Sequence, residues 1–177
     1  KVHQLINLEG FGGPAAKASQ APSKKSKWLK EMHAMYKGEI QLRPYATADA
    51  VAQRLMKTNP RLDADKALWL AQHWARPGPD GQWRILGDSA HKVINPYLFR
   101  VEEALAMYQR ISAPVLAVEA SDDSLSQWWK GKYTLAEFHE RLKSVPQLEK
   151  ATIEDAGHML HHDQPHALAR ILETFLD

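Results

Sequence analysis

With 177 residues, 44% of them hydrophobic, the chain is long enough to bury a domain-sized core, and its composition fits no disorder class. A formal net charge of +2 is too small to argue for a polyanionic partner, so nucleic acid is not expected; zero cysteines exclude disulfides and thiolate chemistry and fit a cytoplasmic enzyme. No apolar run approaches the ~20 residues of a membrane span, so no membrane partner is expected.

In chain order, Val2 to Leu8 reads as a strand, and Glu9-Gly10-Phe11-Gly12-Gly13-Pro14 follows it as a loop. From Gly12 to about Arg110 the pattern is helical or loop, with no second strand system. Lys17, Lys24, Lys25, Lys27 and Lys30 occur with no acidic residue between Glu9 and Glu31. A solvated surface accounts for them, because nucleic-acid binding would want aromatic interleaving and only Trp28 is near. Trp28, Leu29, Met32, Met35 and Tyr36 fall at helical spacing. Thr47 can cap a helix bearing Val51 and Leu55, and Asp63 another bearing Leu68, Ala71 and Ala75. Pro77-Gly78-Pro79-Asp80-Gly81 is a strong turn, Trp83 to Leu86 a short extended piece, and Asn95-Pro96 opens a helix carrying Val101, Leu105 and Tyr108. The helical stripes, with Trp28, Trp69, Trp74 and Trp83 among them, are expected mostly to form the packing core of this region.

The last third is more regular. Ile111 ends a helix, Pro114 stops it, Val115 to Val118 is a buried apolar strand, and Asp122 and Asp123 follow. Thr134 with Glu137 forms a capping box ahead of Phe138 and Leu142, and Leu148 to Ile153 is a third strand. The three strands are joined by helical connections, which demand parallel pairing and hence an α/β fold. Asp163 can cap a final helix with Pro165 in its first turn and Leu168, Ile171, Leu172 and Phe175 on one face.

Between the third strand and that helix stands Gly157-His158. An imidazole on a loop beyond a strand end, held by rigid elements, can act as a general base near neutral pH. His161 and His162 invite a metal reading, but His pairs four apart need a continuous helix and further ligands. The helix is expected to begin only near Asp163, so no metal is expected, and these two side chains should pack or hydrogen-bond around its start.

The Gly-His-Met-Leu-His-His-Asp-Gln-Pro run, the Ala-Pro-Val-Leu-Ala-Val strand with its trailing carboxylates, and the Val2–Leu8 strand followed by Glu9-Gly10-Phe11-Gly12-Gly13-Pro14 together resemble the α/β-hydrolase superfamily. The resemblance covers nearly the whole chain and implies its sixth strand (residues 1–11), a large helical cap (12–100) and the core's C-terminal part (101–177). It implies His158 as the base of a nucleophile-acid-base triad. Family spacing favours Asp123 as the acid if Glu119-Ala120 replace the common Trp-Gly pair. Asp122 is displaced by one residue. Glu9 is a third candidate, because some members, including certain haloalkane dehalogenases, place the acid just after the sixth strand.

The family's nucleophile stands on G-x-S-x-G, and no such motif exists here. The nearest string, Gly87-Asp88-Ser89-Ala90-His91, lacks the second glycine. The oxyanion loop is missing too. The chain is therefore expected to be the C-terminal part of a hydrolase, beginning inside a strand. The nucleophile-bearing N-terminal segment or a second chain would then be its partner. Caps of this family shape the pocket, so a small-molecule substrate of apolar character is expected, acted on as an ester by a serine. An aspartate nucleophile, as in a dehalogenase or epoxide hydrolase, and a non-catalytic binding module are the alternatives. No cofactor is implied.

Overall fold

The strand read at Val115 to Val118 lies in the middle of the larger sheet because both its faces are apolar. The computed structural model describes residues 1–177. The chain runs through β1 (Leu5–Leu8), α1 (Ala21–Tyr36), α2 (Ala48–Thr58), α3 (Ala64–Trp74) and the short strands β2 (Ala75–Pro77) and β3 (Trp83–Ile85). It continues with α4 (Val101–Tyr108), β4 (Val115–Ala120), α5 (Ser124–Trp129) and α6 (Leu135–Leu142). It closes with β5 (Leu148–Ile153), α7 (Leu160–Asp163) and α8 (Pro165–Leu176). Residues 1–16 and 99–177 form one unit, and residues 17–98 another.

In the first unit β1, β4 and β5 pair in that order, all parallel, with Leu5 opposite Val115 and Val118 opposite Ala151. Val115 and Ala117 of β4 bury one face against Phe11, Leu125, Tyr133, Phe138 and Leu142. Leu116, Val118 and Ala120 bury the other with Ile153, Ala156, Leu160 and Leu168. A parallel strand covered on both sides reads as a continuous apolar run for this reason. Thr134 caps α6 by accepting from the Glu137 N–H, and α6 is pinned to β4 where His139 Nε2 meets both Glu119 oxygens at 2.8 Å.

Three local readings are corrected. The first strand is shorter than Val2–Leu8: its ladder starts where Leu5 N–H donates to Pro114 O, because Pro114 itself has no N–H to extend pairing further back. The helix expected from Asn95 starts at Val101; Asn95 Oδ1 accepts the Tyr97 N–H, a local turn that competes with helix. Asp163 does not cap the last helix. It closes α7, its carboxylate accepts the Gly157 N–H at 2.9 Å, and Gln164 takes the cap position ahead of Pro165.

The second unit is built on α2 and α3, whose Val51, Ala52, Ala67, Leu70 and Ala71 pack together with Leu62 and Ala75. Thr47 and Asp63 cap these helices as the sequence suggests. Two expectations fail. A second strand system exists: β2 and β3 form an antiparallel hairpin around the Pro77–Gly81 turn, with Pro77 opposite Trp83. Three-residue strands are too short to show alternation. The aromatic stripe is also less buried than expected, since α1 has no buried residue and Leu29, Tyr36 and Trp69 are exposed. No helix is long and apolar enough to cross a membrane.

Candidate functional site

Three loops converge at the C-terminal ends of the parallel strands. Ser121 N–H donates to Ile153 O and Asp122 N–H to Ala156 O, stitching the loop after β4 to the loop after β5. Glu9, directly after β1, continues the ladder through its N–H to Val118 O at 3.0 Å. Its side chain then turns inward. Glu9 Oε1 accepts the Ala120 N–H at 2.7 Å, and Glu9 Oε2 lies 3.4 Å from His158 Nδ1.

Of the three carboxylates read from sequence, the structure brings Glu9 to His158. Asp123 is the N-cap of α5, its Oδ1 accepting the Ser126 N–H at 2.8 Å. That helix went unread because Ser124 to Trp129 is too short to show a period. Asp122 is anchored through its backbone to Ala156, beside the histidine loop. His161 and His162 lie on α7, rings 4.1 Å apart, and no group of three His, Asp or Glu side chains is arranged to hold a metal ion.

The electrostatics of Glu9 follow from its position. Its side chain is only 2% exposed, against 35% for His158. Burial pushes the Glu9 carboxyl above the usual carboxylate range; the Ala120 N–H and His158 pull the other way, and the nearby Glu119 adds to the rise. Glu9 also adopts φ 54°. For an L residue the left-handed region costs about 1–2 kcal/mol, and such strain persists where the surroundings over-determine it.

Sequence reasoning missed Trp128. It projects from α5 onto His158, ring centroids 4.1 Å apart and close to edge-on, while 58% of it stays exposed. Its signal was the Trp128-Trp129 pair following two carboxylates, which shows no ring contact until the loops are placed.

No protein-family model matches the chain, and no curated protein does. Solved structures do. The hypothetical protein PA1622 from Pseudomonas aeruginosa PAO1 matches at a TM-score of 0.80 and 22% identity, over 99% of this chain and 59% of that one. The thioesterase domain from the curacin biosynthetic pathway matches at 0.73 and 20%, over 98% and 56%. The chain has the α/β-hydrolase fold. A third α/β-hydrolase-fold match is the Mycobacterium tuberculosis esterase Rv0045c, at a TM-score of 0.66 and 19% identity, over 99% of this chain and 55% of that one. The chain thus spans between 55% and 59% of the length of these α/β-hydrolase-fold structures.

His161 gives this α/β-hydrolase fold a pH-dependent element. Burial lowers its imidazole below the usual range, with His158 adding to the fall and Asp163 opposing it. The unfolded chain then binds the proton more readily than the folded one, so stability falls as pH drops from the ordinary imidazole value of 6.5 through the lowered folded value. His161→Gln should flatten the dependence of Tm on pH across that window; an unchanged slope counts against a lowered His161 imidazole.

Proposed function

We propose that this chain carries the acid and base of an α/β-hydrolase acting on ester-like small molecules, with Glu9 as acid and His158 as base. The observation that carries the reading is the pair itself: a buried carboxylate after one parallel strand meets an imidazole on the loop after another, at Nδ1. A hydrogen bond of 3.4 Å is long, and catalytic contacts in ligand-free sites commonly are, tightening as substrate binds. Glu9 would hold the Nδ1–H tautomer, leaving Nε2 free to take a proton.

A nucleophile is needed, and no serine of this chain stands on a G-x-S-x-G turn. It would come from a segment outside these 177 residues or from a second chain. The outer edge of β1 is unpaired and Leu5 is 40% exposed there, an edge that folded proteins normally cover. In the reaction, the serine Oγ attacks the ester carbonyl while His158 Nε2 takes its proton. The tetrahedral intermediate then expels the alcohol, which receives that proton. Water repeats the sequence to release the acid. Residues 17–98 hold the chain position of the family's helical cap, and the exposed Trp128 face beside His158 offers an apolar wall for the substrate.

The Glu9 position favours a second reading, because some haloalkane dehalogenases carry their acid after the sixth strand. There an aspartate displaces halide and His158 activates water against the alkyl-enzyme ester. A fluorophosphonate probe separates the two on the intact enzyme. Labelling, together with hydrolysis of p-nitrophenyl esters, supports the serine enzyme. Halide release without labelling supports the aspartate enzyme. Neither labelling nor turnover of esters, haloalkanes or epoxides would overturn both in favour of a non-catalytic binding module.

A further inference from the structure

Glu9 reaches His158 from a backbone in the left-handed region, and an L residue stays there when the chain on both sides is fixed. On the near side, the Glu9 N–H is tied to Val118 by the β1–β4 ladder. On the far side, residues 10–13 carry no regular structure, yet Gly10, Phe11 and Gly13 are each anchored. Asn7 Nδ2 donates to Gly10 O at 3.0 Å, and its side chain lies over Gly10 so closely that a Cβ there would stand 2.1 Å from Asn7 Oδ1. The Phe11 ring is buried edge-to-face on Phe138 at 5.1 Å. The Phe11 carbonyl accepts from Tyr133 Oη at 2.7 Å, and the Gly13 carbonyl from Arg141 Nη1 at 2.6 Å.

Tyr133 and Arg141 are unusual choices for this place. Tyr133 is fully buried in a cluster otherwise made of Phe, Val, Ala and Leu, and Arg141, 5% exposed, lies against its ring. The guanidinium lies 4.2 Å from the centre of the Tyr133 ring, and its Nη2 bonds Glu137, while the buried Nε has no partner. Burial pushes the Tyr133 phenol up to about 12, so it stays a hydrogen-bond donor throughout the working pH range. An apolar pair would fill the same volume with no buried Nε left unsatisfied, but it would take the donors away from the carbonyls of the buried residues Phe11 and Gly13. What Tyr133 and Arg141 add is direction: two hydrogen bonds that fix the carbonyls two and four residues beyond Glu9.

We propose that Tyr133 and Arg141 are positioning residues for the acid, clamping residues 11–13 so that Glu9 is held in its left-handed turn with Oε2 on His158. The inference rests on the reading of Glu9 as the acid, and the experiment keeps the two apart. A double-mutant cycle in the intact enzyme, with p-nitrophenyl butyrate as probe, compares Tyr133→Phe in the native and Glu9→Gln backgrounds. The expected result is a roughly tenfold fall in kcat with KM little changed in the native background. In the Glu9→Gln background, Tyr133→Phe should change kcat less than about twofold. Equal losses in both backgrounds would make Tyr133 a general structural residue and overturn the proposal, as would no loss in the native one. The downfield Nδ1–H proton resonance of His158 gives a readout independent of turnover. It should disappear in Glu9→Gln and weaken in Tyr133→Phe. If Glu9→Gln leaves kcat intact, the acid assignment fails. The resonance then decides the positioning role alone, and an unaltered signal in Tyr133→Phe overturns it. Arg141→Lys, which keeps the charge and loses the fork, runs the same cycle should Tyr133→Phe prove insoluble.

Discussion

His158→Ala in the intact enzyme should lower kcat on the order of 10⁴-fold, because a triad acts as a unit and loses most of its effect with any member. The fold should survive. His158 lies on a loop, with its side chain 35% exposed and the ring contact to Trp128 on one side. The variant therefore removes little packing, and far-ultraviolet circular dichroism should match the parent. His161→Ala and His162→Ala should cost far less than His158→Ala, since both side chains belong to α7 and the carboxylate contact described for Glu9 is made by His158. The comparison also tests metal chemistry. If activity proved sensitive to a chelator and fell equally in all three variants, the acid–base reading of His158 would be lost and a histidine metal site would replace it.

How much of this was legible beforehand follows the length scale of each signal. β4 announces itself as an apolar run after Pro114, β5 as a stretch of strand propensity that ends at Ile153 ahead of the glycine turn, and α2, α3 and α6 by cap residues ahead of periodic stripes. These are local signals that burial reinforces. The strand β2 and its pairing with β3, the six-residue α5 and the single turn of α7 were not legible, because three to six residues do not establish a period. The site divides in the same way. His158 could be read from its own segment, since strand, glycine and imidazole are contiguous. Its partner could not: Glu9 is 149 residues away, and three carboxylates follow strand ends equally well in sequence. Choosing among them needs the backbone direction of each, set by φ 54° at Glu9 and by the helix that Asp123 caps. The Tyr133–Arg141 clamp was invisible for a further reason, since its targets are backbone carbonyls.

Glu9→Gln should then inactivate the enzyme almost as severely as loss of the histidine, by roughly 10³- to 10⁴-fold in kcat. Glutamine keeps the size of the side chain and can still accept the Ala120 N–H through its carbonyl oxygen. Its amide group, however, would donate towards His158 Nδ1 and favour the tautomer with the proton on Nε2, which cannot serve as base. Asp123→Asn should leave turnover within a few-fold of the parent, because asparagine caps a helix about as well as aspartate. Asp122→Asn should do likewise. Stability should move in the opposite direction to activity. The folded carboxyl of Glu9 holds its proton to higher pH than the ordinary 4.5 because it is buried. Its ionisation therefore removes stability as pH rises through that raised value. Glu9→Gln escapes this loss, so its Tm should exceed the parent's at pH 8, and the difference should shrink below about pH 4, where both states are protonated. An inactive variant that is more stable at pH 8 marks a residue kept for chemistry at a cost to the fold. The opposite pattern, with Asp123→Asn or Asp122→Asn inactivating while Glu9→Gln retains turnover, would return the acid to the loop after β4 and leave Glu9 a buried anchor for the Ala120 N–H.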